Sequence, residues 1–189
     1  MGYTLYSAGP TVEDHGNGAS AIGGIETLPR FNLSDFDAVT GQLWVSYVTA
    51  AASGTIGRLM MASGSVAAAT VTLTRMALFT TATDGSITKV AQTASQAGAG
   101  AGTFTPYEYP LSTVGGFPAS YTITAGTRYA IGYLQVATTA ARIQGAFVLD
   151  GGTPPVPSRV VTAQADIAAS YAVGVLTPTF NMAYLRGRP

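Results

Sequence analysis

The chain has 189 residues, 47% of them hydrophobic, with nine basic residues balancing nine acidic ones and no cysteine. That length suits one domain, or one domain with an arm, and lets it bury roughly 70% of its unfolded surface without a covalent staple. A charged fraction of 10%, against about 25% in an average soluble domain, offers no basic face to nucleic acid or to an acidic membrane surface, and the missing thiols exclude disulfide frameworks, thiolate zinc sites and cysteine nucleophiles.

A surface of Thr, Ser, Ala, Gly and Gln with zero net charge does little to repel neighbours, which points to life inside an assembly. The opening MGYTLYSAGP lacks the basic and apolar regions of a signal peptide, and Tyr6 breaks the myristoylation pattern. No run approaches 18 uninterrupted apolar residues, so no membrane span is expected. Lys89 is the only lysine among nine basic residues, and with abundant Ala, Gly and Thr this suggests GC-rich coding.

Residues 1–30 read as an irregular arm. The stretch HGNGASAIGGIETLP carries Gly16, Gly18, Gly23 and Gly24 before Pro29, and glycine is costly to order, so the segment should lie on its own sandwich or on a neighbouring chain. QLWVSYVTA (42–50) alternates, with Leu43, Val45 and Tyr47 on one face and Trp44, Ser46 and Val48 on the other. TIGRLMMAS (55–63) is a second strand candidate. TVTLTRMALFTT (70–81) alternates until Arg75-Met76 breaks the parity, which suggests a bulge or a passage from one-sided to two-sided burial. Asp84-Gly85 then predicts a hairpin into SITKVAQT (86–93).

ASQAGAGAG (94–102) reads as a flexible loop, and FTPYEYPLST (104–113), with Pro106 and Pro110, as at best an edge strand. YTITAGTRYAIGYLQV (121–136) reads as a hairpin turning at Ala125-Gly126. Its long second strand puts Tyr129, Ile131 and Tyr133 on one face and Ala130, Gly132, Leu134 and Val136 on the other, with Gly132 leaving room for a neighbouring ring. ARIQGAFVL (141–149) is the next strand, ended by DGGTPPVP. Residues 159–176 have the Ala content of a helix, but β-branched residues and Gly174 interrupt it. FNMAYL (180–185) closes the pattern before a polar tail, RGRP. Many short strands with turn signals between them and no convincing long helix predict an all-β antiparallel sandwich, jelly-roll-like, with residues 1–40 as an extended Gly-rich arm and 41–189 as the sandwich domain.

Little here resembles a reaction centre. His15, the only histidine, sits in the arm, where no rigid shell would orient a catalytic imidazole. Asp35 and Asp37, two apart, would share a face on a strand and could serve as a glycosidase pair or calcium ligands; the plainer reading is a polar turn into the first strand. Glu13-Asp14-His15 invites a metal reading on the same terms, but no further ligands stand at recognisable spacing, and neither metal nor cofactor is expected. Asp84 and Asp150 precede glycine as turn residues do, GAGAG at 98–102 lacks the lysine and the strand–helix setting of a phosphate cradle, and Asn32-Leu33-Ser34 is a chance sequon. The best glycan-binding candidates are Tyr107 and Tyr109 flanking Glu108 in a proline-bounded loop, with Tyr121, then Tyr171, behind them; core packing is the competing account for each ring.

Three stretches, GQLWVSYVTA, TRMALFTTATDGSITKVAQT and YTITAGTRYAIGYLQV, resemble in order and spacing a module of minor tail proteins of phages infecting actinobacteria. Gly41, Thr49, Arg75, Leu78, Phe79, Asp84, Gly85, Ala125, Gly126, Arg128, Tyr129 and Ala130 fall on that pattern, which covers about residues 41–149 with a weaker echo through QADIAAS. The resemblance implies a non-enzymatic virion β-sandwich with host-surface attachment as its role, and it carries no catalytic set. The expectation is therefore a structural virion protein on a phage tail or capsid surface that docks through its arm. Its expected partners are other virion proteins, copies of itself in a trimer, and a host cell-surface glycan, with neither nucleic acid nor membrane among them. A capsid decoration (cement) protein and a free carbohydrate-binding module are the alternatives, and a hydrolase ranks last.

Overall fold

The computed structural model describes residues 19–20, 24–28, 33–147 and 157–189. His15, the Glu13-Asp14 pair, Asn32 and Asp150, with most of the Gly-rich arm and of the DGGTPPVP turn, lie outside the described residues. In chain order the strands are β1 (Ala19–Ser20), β2 (Gly24–Glu26), β3 (Ser34–Asp37), β4 (Gln42–Thr49), β5 (Gly54–Ile56) and β6 (Arg58–Ala62). Then come β7 (Ala69–Thr81), β8 (Ile87–Gln92), β9 (Pro106–Pro110), β10 (Tyr121–Ile123), β11 (Arg128–Thr139) and β12 (Arg142–Phe147). Beyond them lie β13 (Ser158–Val161), β14 (Ser170–Tyr171), β15 (Thr177–Pro178), β16 (Asn181–Ala183) and β17 (Leu185–Arg188). The described residues hold no α-helix, only short 3₁₀ turns at Val114–Gly116 and Val173–Val175.

The protein is an all-β antiparallel sandwich. Its spine is a curled seven-stranded sheet ordered β14-β8-β7-β11-β4-β13-β15. A five-stranded sheet ordered β1-β2-β17-β6-β9 and two small ones, β16-β12-β3 and β10-β5, complete it. The alternation seen in the sequence decides which side chains meet. Trp44, Val48, Met76, Leu78, Tyr129, Ile131 and Tyr133 leave one face of the spine and pack with Ile25, Leu59, Met61 and Leu185 of the five-stranded sheet. Leu43, Val45, Tyr47, Ala77, Phe79, Ala130 and Leu134 leave the other face and are covered by Ile167, Tyr171 and Leu176. Each Val, Leu, Ile, Phe or Met side chain among them contributes about 1.5–3 kcal/mol when fully buried. The expected vacancy at Gly132 is real, because a Cβ there would stand 2.8 Å from the Phe79 ring.

Residues 159–176 therefore form no α-helix: 159–161 lie in β13 of the spine, and Ile167, Tyr171 and Leu176 beyond them cover its second face. The Lys89 N–H donates to Ala169 O (2.8 Å) and Lys89 Nζ to Ile167 O (2.6 Å), while Arg75 pairs with Asp166. The parity break at Arg75-Met76 marks the passage to two-sided burial over Met76–Phe79, and register shifts lie on either side of it, against β11 at Thr72 and against β8 between Leu78 and Phe79. The Asp84-Gly85 hairpin forms as expected. Gly85 has φ +87°, and Asp84 Oδ1 accepts from the Ser86 N–H at 2.9 Å.

Other expectations need correction. Residues 121–136 do not form a hairpin: β10 pairs with β5, whereas β11 pairs with β4 and β7. Gly126 (φ +76°) makes the turn, but its N–H donates across to Ala50 O at 2.7 Å, so the chain turns a corner from one sheet into another. TIGRLMMAS is two strands broken at Gly57, whose N–H donates to Arg188 O (2.6 Å). The Gly/Ala loop is pinned: Ala99 is fully buried, Gln135 Nε2 donates to Ala99 O (3.0 Å), and the Ala68 N–H donates to Gly100 O (2.7 Å). The supposed arm enters the sandwich before residue 40. Ile25 of β2 is in the main core, Thr27 Oγ1 donates to Ala183 O (2.8 Å), and β3 pairs with β12. RGRP is no tail, since Arg186 and Gly187 lie in β17 between β2 and β6.

Candidate functional site

Parity in the five-stranded sheet sorts its side chains cleanly. Leu59 and Met61 of β6, Leu185 of β17 and Ile25 of β2 enter the core. Gly187 is small because a Cβ would meet Ile25 and Ile56 at 3.2 Å. The intervening residues project from the outer face, and register aligns them into one row: Glu26 opposite Arg186, Arg186 opposite Met60, Met60 opposite Glu108. Arg188 and Arg58 stand one pair further along. Glu108 holds this edge electrostatically, with its Oε2 3.1 Å from Arg188 Nη1 and its Oε1 3.9 Å from Arg58 Nε. Glu26 and Arg186 are each only 2% exposed, and the Tyr184 hydroxyl donates to Glu26.

Over this row lies a cleft of about 680 Å³, lined by Met60, Phe104, Glu108, Tyr184, Arg186 and Arg188, with Leu33, Ala62, Pro106 and Gln144 also touching it. Phe104 is brought there by the loop before β9. The Ser63 hydroxyl donates to Gly102 O (2.6 Å) and accepts from the Thr105 N–H (3.0 Å), and the Phe104 N–H donates to Gly64 O (2.9 Å).

Of the residues read as glycan candidates, only Glu108 reaches the cleft. PYEYP is the edge strand that its prolines allowed, harmless there because it pairs on one side only, to β6. A strand sends neighbours to opposite faces, so Glu108 projects outward while Tyr107 and Tyr109 turn in against the core, stacked at 6.4 Å between ring centroids. Burial, then the neighbouring Tyr107, pushes the Tyr109 phenol above its ordinary pKa. The Tyr107 hydroxyl accepts from the Gly102 N–H at 2.6 Å and braces the Gly/Ala loop. Tyr121 packs edge-on to Tyr129 at 6.4 Å, and Tyr171 covers Phe79; neither lines the cleft. The outward shelf of rings expected at 107–109 is thus replaced by one carboxylate. Arg186, Arg188, Tyr184, Glu26 and Phe104 went unread, although Leu185-Arg186-Gly187-Arg188 does alternate as a half-buried strand would.

Asp35 and Asp37 do share a face, but on a strand and not in a turn, and they bracket Arg142. Its Nε lies 2.8 Å from Asp37 Oδ1 and its Nη1 3.5 Å from Asp35 Oδ2. The Ser65 hydroxyl and N–H both donate to Asp35, and these bonds, the hydroxyl first, hold its carboxyl below the ordinary 3.8. A depressed folded pKa stabilises the fold above the unfolded pKa, and that stability is lost as pH falls through the folded value. The stability gap between the native chain and Asp35→Asn should therefore close on going from about pH 5 to pH 2 in urea melts. A gap that ignores pH would count against this assignment.

The cleft presents donors and acceptors in fixed order on rigid strands. The backbones that carry Glu26 and Glu108 are three strand spacings apart, about 14 Å at ~4.8 Å each. Among the described residues no group of three His, Cys, Asp or Glu side chains could hold a metal ion, and no helix is long and apolar enough to cross a membrane. No protein-family model matches the chain, and a search of curated proteins finds no match.

Proposed function

We propose that this chain is a non-enzymatic structural protein of a tailed-phage virion, a minor tail protein whose sandwich is presented for host-surface attachment. One observation carries the reading. The residues on which the sequence resembles the tail-protein module are those on which the sandwich turns: Gly41, Gly85 and Gly126 all take positive φ, at +69°, +87° and +76°. Only glycine adopts such backbone readily, so these three matching positions each carry a turn of the fold, as the shared pattern would require of them. Around these turns the other matching residues also have architectural work. Leu78 and Phe79 are fully buried, the Tyr129 hydroxyl accepts from the Thr124 N–H at 3.0 Å, and the Arg128 guanidinium sits 4.5 Å from the Tyr47 ring centroid.

The weakly charged surface supports the same reading, since it suits packing among other virion subunits. Docking through the N-terminal segment is tested by deleting residues 2–18, which precede β1 and leave every described strand intact. Particles from cells carrying the gene should contain the full chain by mass spectrometry and bind antibody raised against it at one location. The deleted chain should fold and yet be missing from them. Purified particles free of the full chain would overturn the virion role, and normal incorporation of the deleted chain would overturn docking by this segment.

A further inference from the structure

We propose that the cleft over the outer face of the five-stranded sheet binds a saccharide of one or two uncharged pyranose units, with Phe104 as the stacking ring and Glu108 and Arg188 as hydroxyl partners. Its volume of about 680 Å³ falls within the ~300–1,000 Å³ of small-ligand sites. Sugar hydroxyls both donate and accept, and this wall provides a carboxylate that accepts beside guanidinium groups that donate. Arg188 and Arg58 are already set against Glu108, so a neutral ligand leaves those ion pairs in place, whereas a phosphate would compete with the carboxylate for them.

Phe104 supplies the independent argument. Its side chain is 66% exposed, and its backbone sits at φ +48°, a left-handed conformation that a bulky residue rarely holds. In the free chain the ring recovers little by packing, although Ser63 and Gly64 fix the loop on both sides of it. Strain held in place by its surroundings and spent on presenting an exposed ring is the mark of a ligand platform, because the apolar face of a pyranose would cover it. The floor beneath is built and rigid, with Arg186 and Tyr184 buried in and beside the central strand of the sheet.

The site adds a ligand to the attachment role above but stands on the cleft alone. The test is a titration of the ¹⁵N-labelled chain with glucose, galactose, N-acetylglucosamine and their β-linked disaccharides in the millimolar range. Saturable shifts should be confined to the amides of residues 58–62, 104–105, 107–108 and 184–188. Phe104→Gly should weaken that binding roughly tenfold while raising Tm by about 2–4 °C, since glycine relieves the left-handed φ. Absence of shifts with every sugar, shifts elsewhere, or undiminished binding by Phe104→Gly would overturn the site, and a fall in Tm would show that the ring is packed and not held for a ligand. Cleft shifts with a synthetic peptide of residues 1–18 and with no sugar would hand the cleft to the chain's own N-terminal segment. A chain that labels particles but ignores sugars sinks this inference and spares the virion reading; a chain that binds sugar but is absent from particles does the reverse.

Discussion

Gly145→Ala should destabilise the sandwich by about 3 kcal/mol, the upper end of what overpacking a core costs. Gly145 sits in β12, opposite Ala183 of β16 on one side and Ser34 of β3 on the other. A methyl group there would stand 2.2 Å from the backbone oxygen of Met182 and 2.4 Å from Cε1 of Phe36. Neither can step aside cheaply. The carbonyl belongs to the paired strand β16, and the Phe36 ring is wedged against Trp44 at 4.8 Å between centroids. At roughly 2–4 °C per kcal/mol for a chain of this size, Tm should fall by about 6–12 °C. Urea melts should show the midpoint dropping at an unchanged slope. A loss under about 1 kcal/mol would mean that β16 slides freely against β12.

Gln135→Leu should rank beside it, at about 3 kcal/mol. Gln135 is 1% exposed within β11, in the middle of the seven-stranded sheet. Its Nε2 donates to Thr74 Oγ1 (3.1 Å) and Ala99 O (3.0 Å), and its Oε1 accepts from the Ala141 N–H (2.8 Å). Leucine matches its bulk but leaves the Ala99 carbonyl and the Ala141 amide buried without that partner, each costing about 1–3 kcal/mol. Hydrogen exchange gives a local readout, because the Ala141 amide should lose protection well beyond the global change in stability. If that amide stays as protected as before, its bond to Gln135 Oε1 is not what shields it.

The sequence disclosed most where burial is two-sided and pairing is local. Residues 42–48 and 129–134 declared both faces correctly because each face of the spine has its own apolar cover, and Asp84-Gly85 declared a hairpin because an Asx turn is specified within four residues. Ala125-Gly126 has similar turn chemistry and misled. A turn fixes the local path of the chain, but the partner of β10 is chosen by β5, some 65 residues earlier in register (Tyr121 opposite Ile56). The Tyr107–Glu108–Tyr109 trio failed for a different reason. Prolines suggested a loop or a sheet edge, and only in a loop could all three point outward; as an edge strand, parity admits only one. The cleft was illegible throughout, because Met60, Phe104 and Arg186 become neighbours only after three distant segments pair.

Strand β17 lies between β2, near the start of the chain, and β6, and so joins a sheet whose other members were all made long before it. A ribosome that has already delivered residue 180 still holds two unjoined edges. Until residues 185–188 emerge, the Leu59–Met61 ridge has no lid on that flank and Ile25 has no seat. Assembly of this half of the molecule therefore waits on β17, a non-local closure of the slow kind. Until it closes, the facing edges of β2 and β6 stand unpaired, the kind of edge on which chains aggregate.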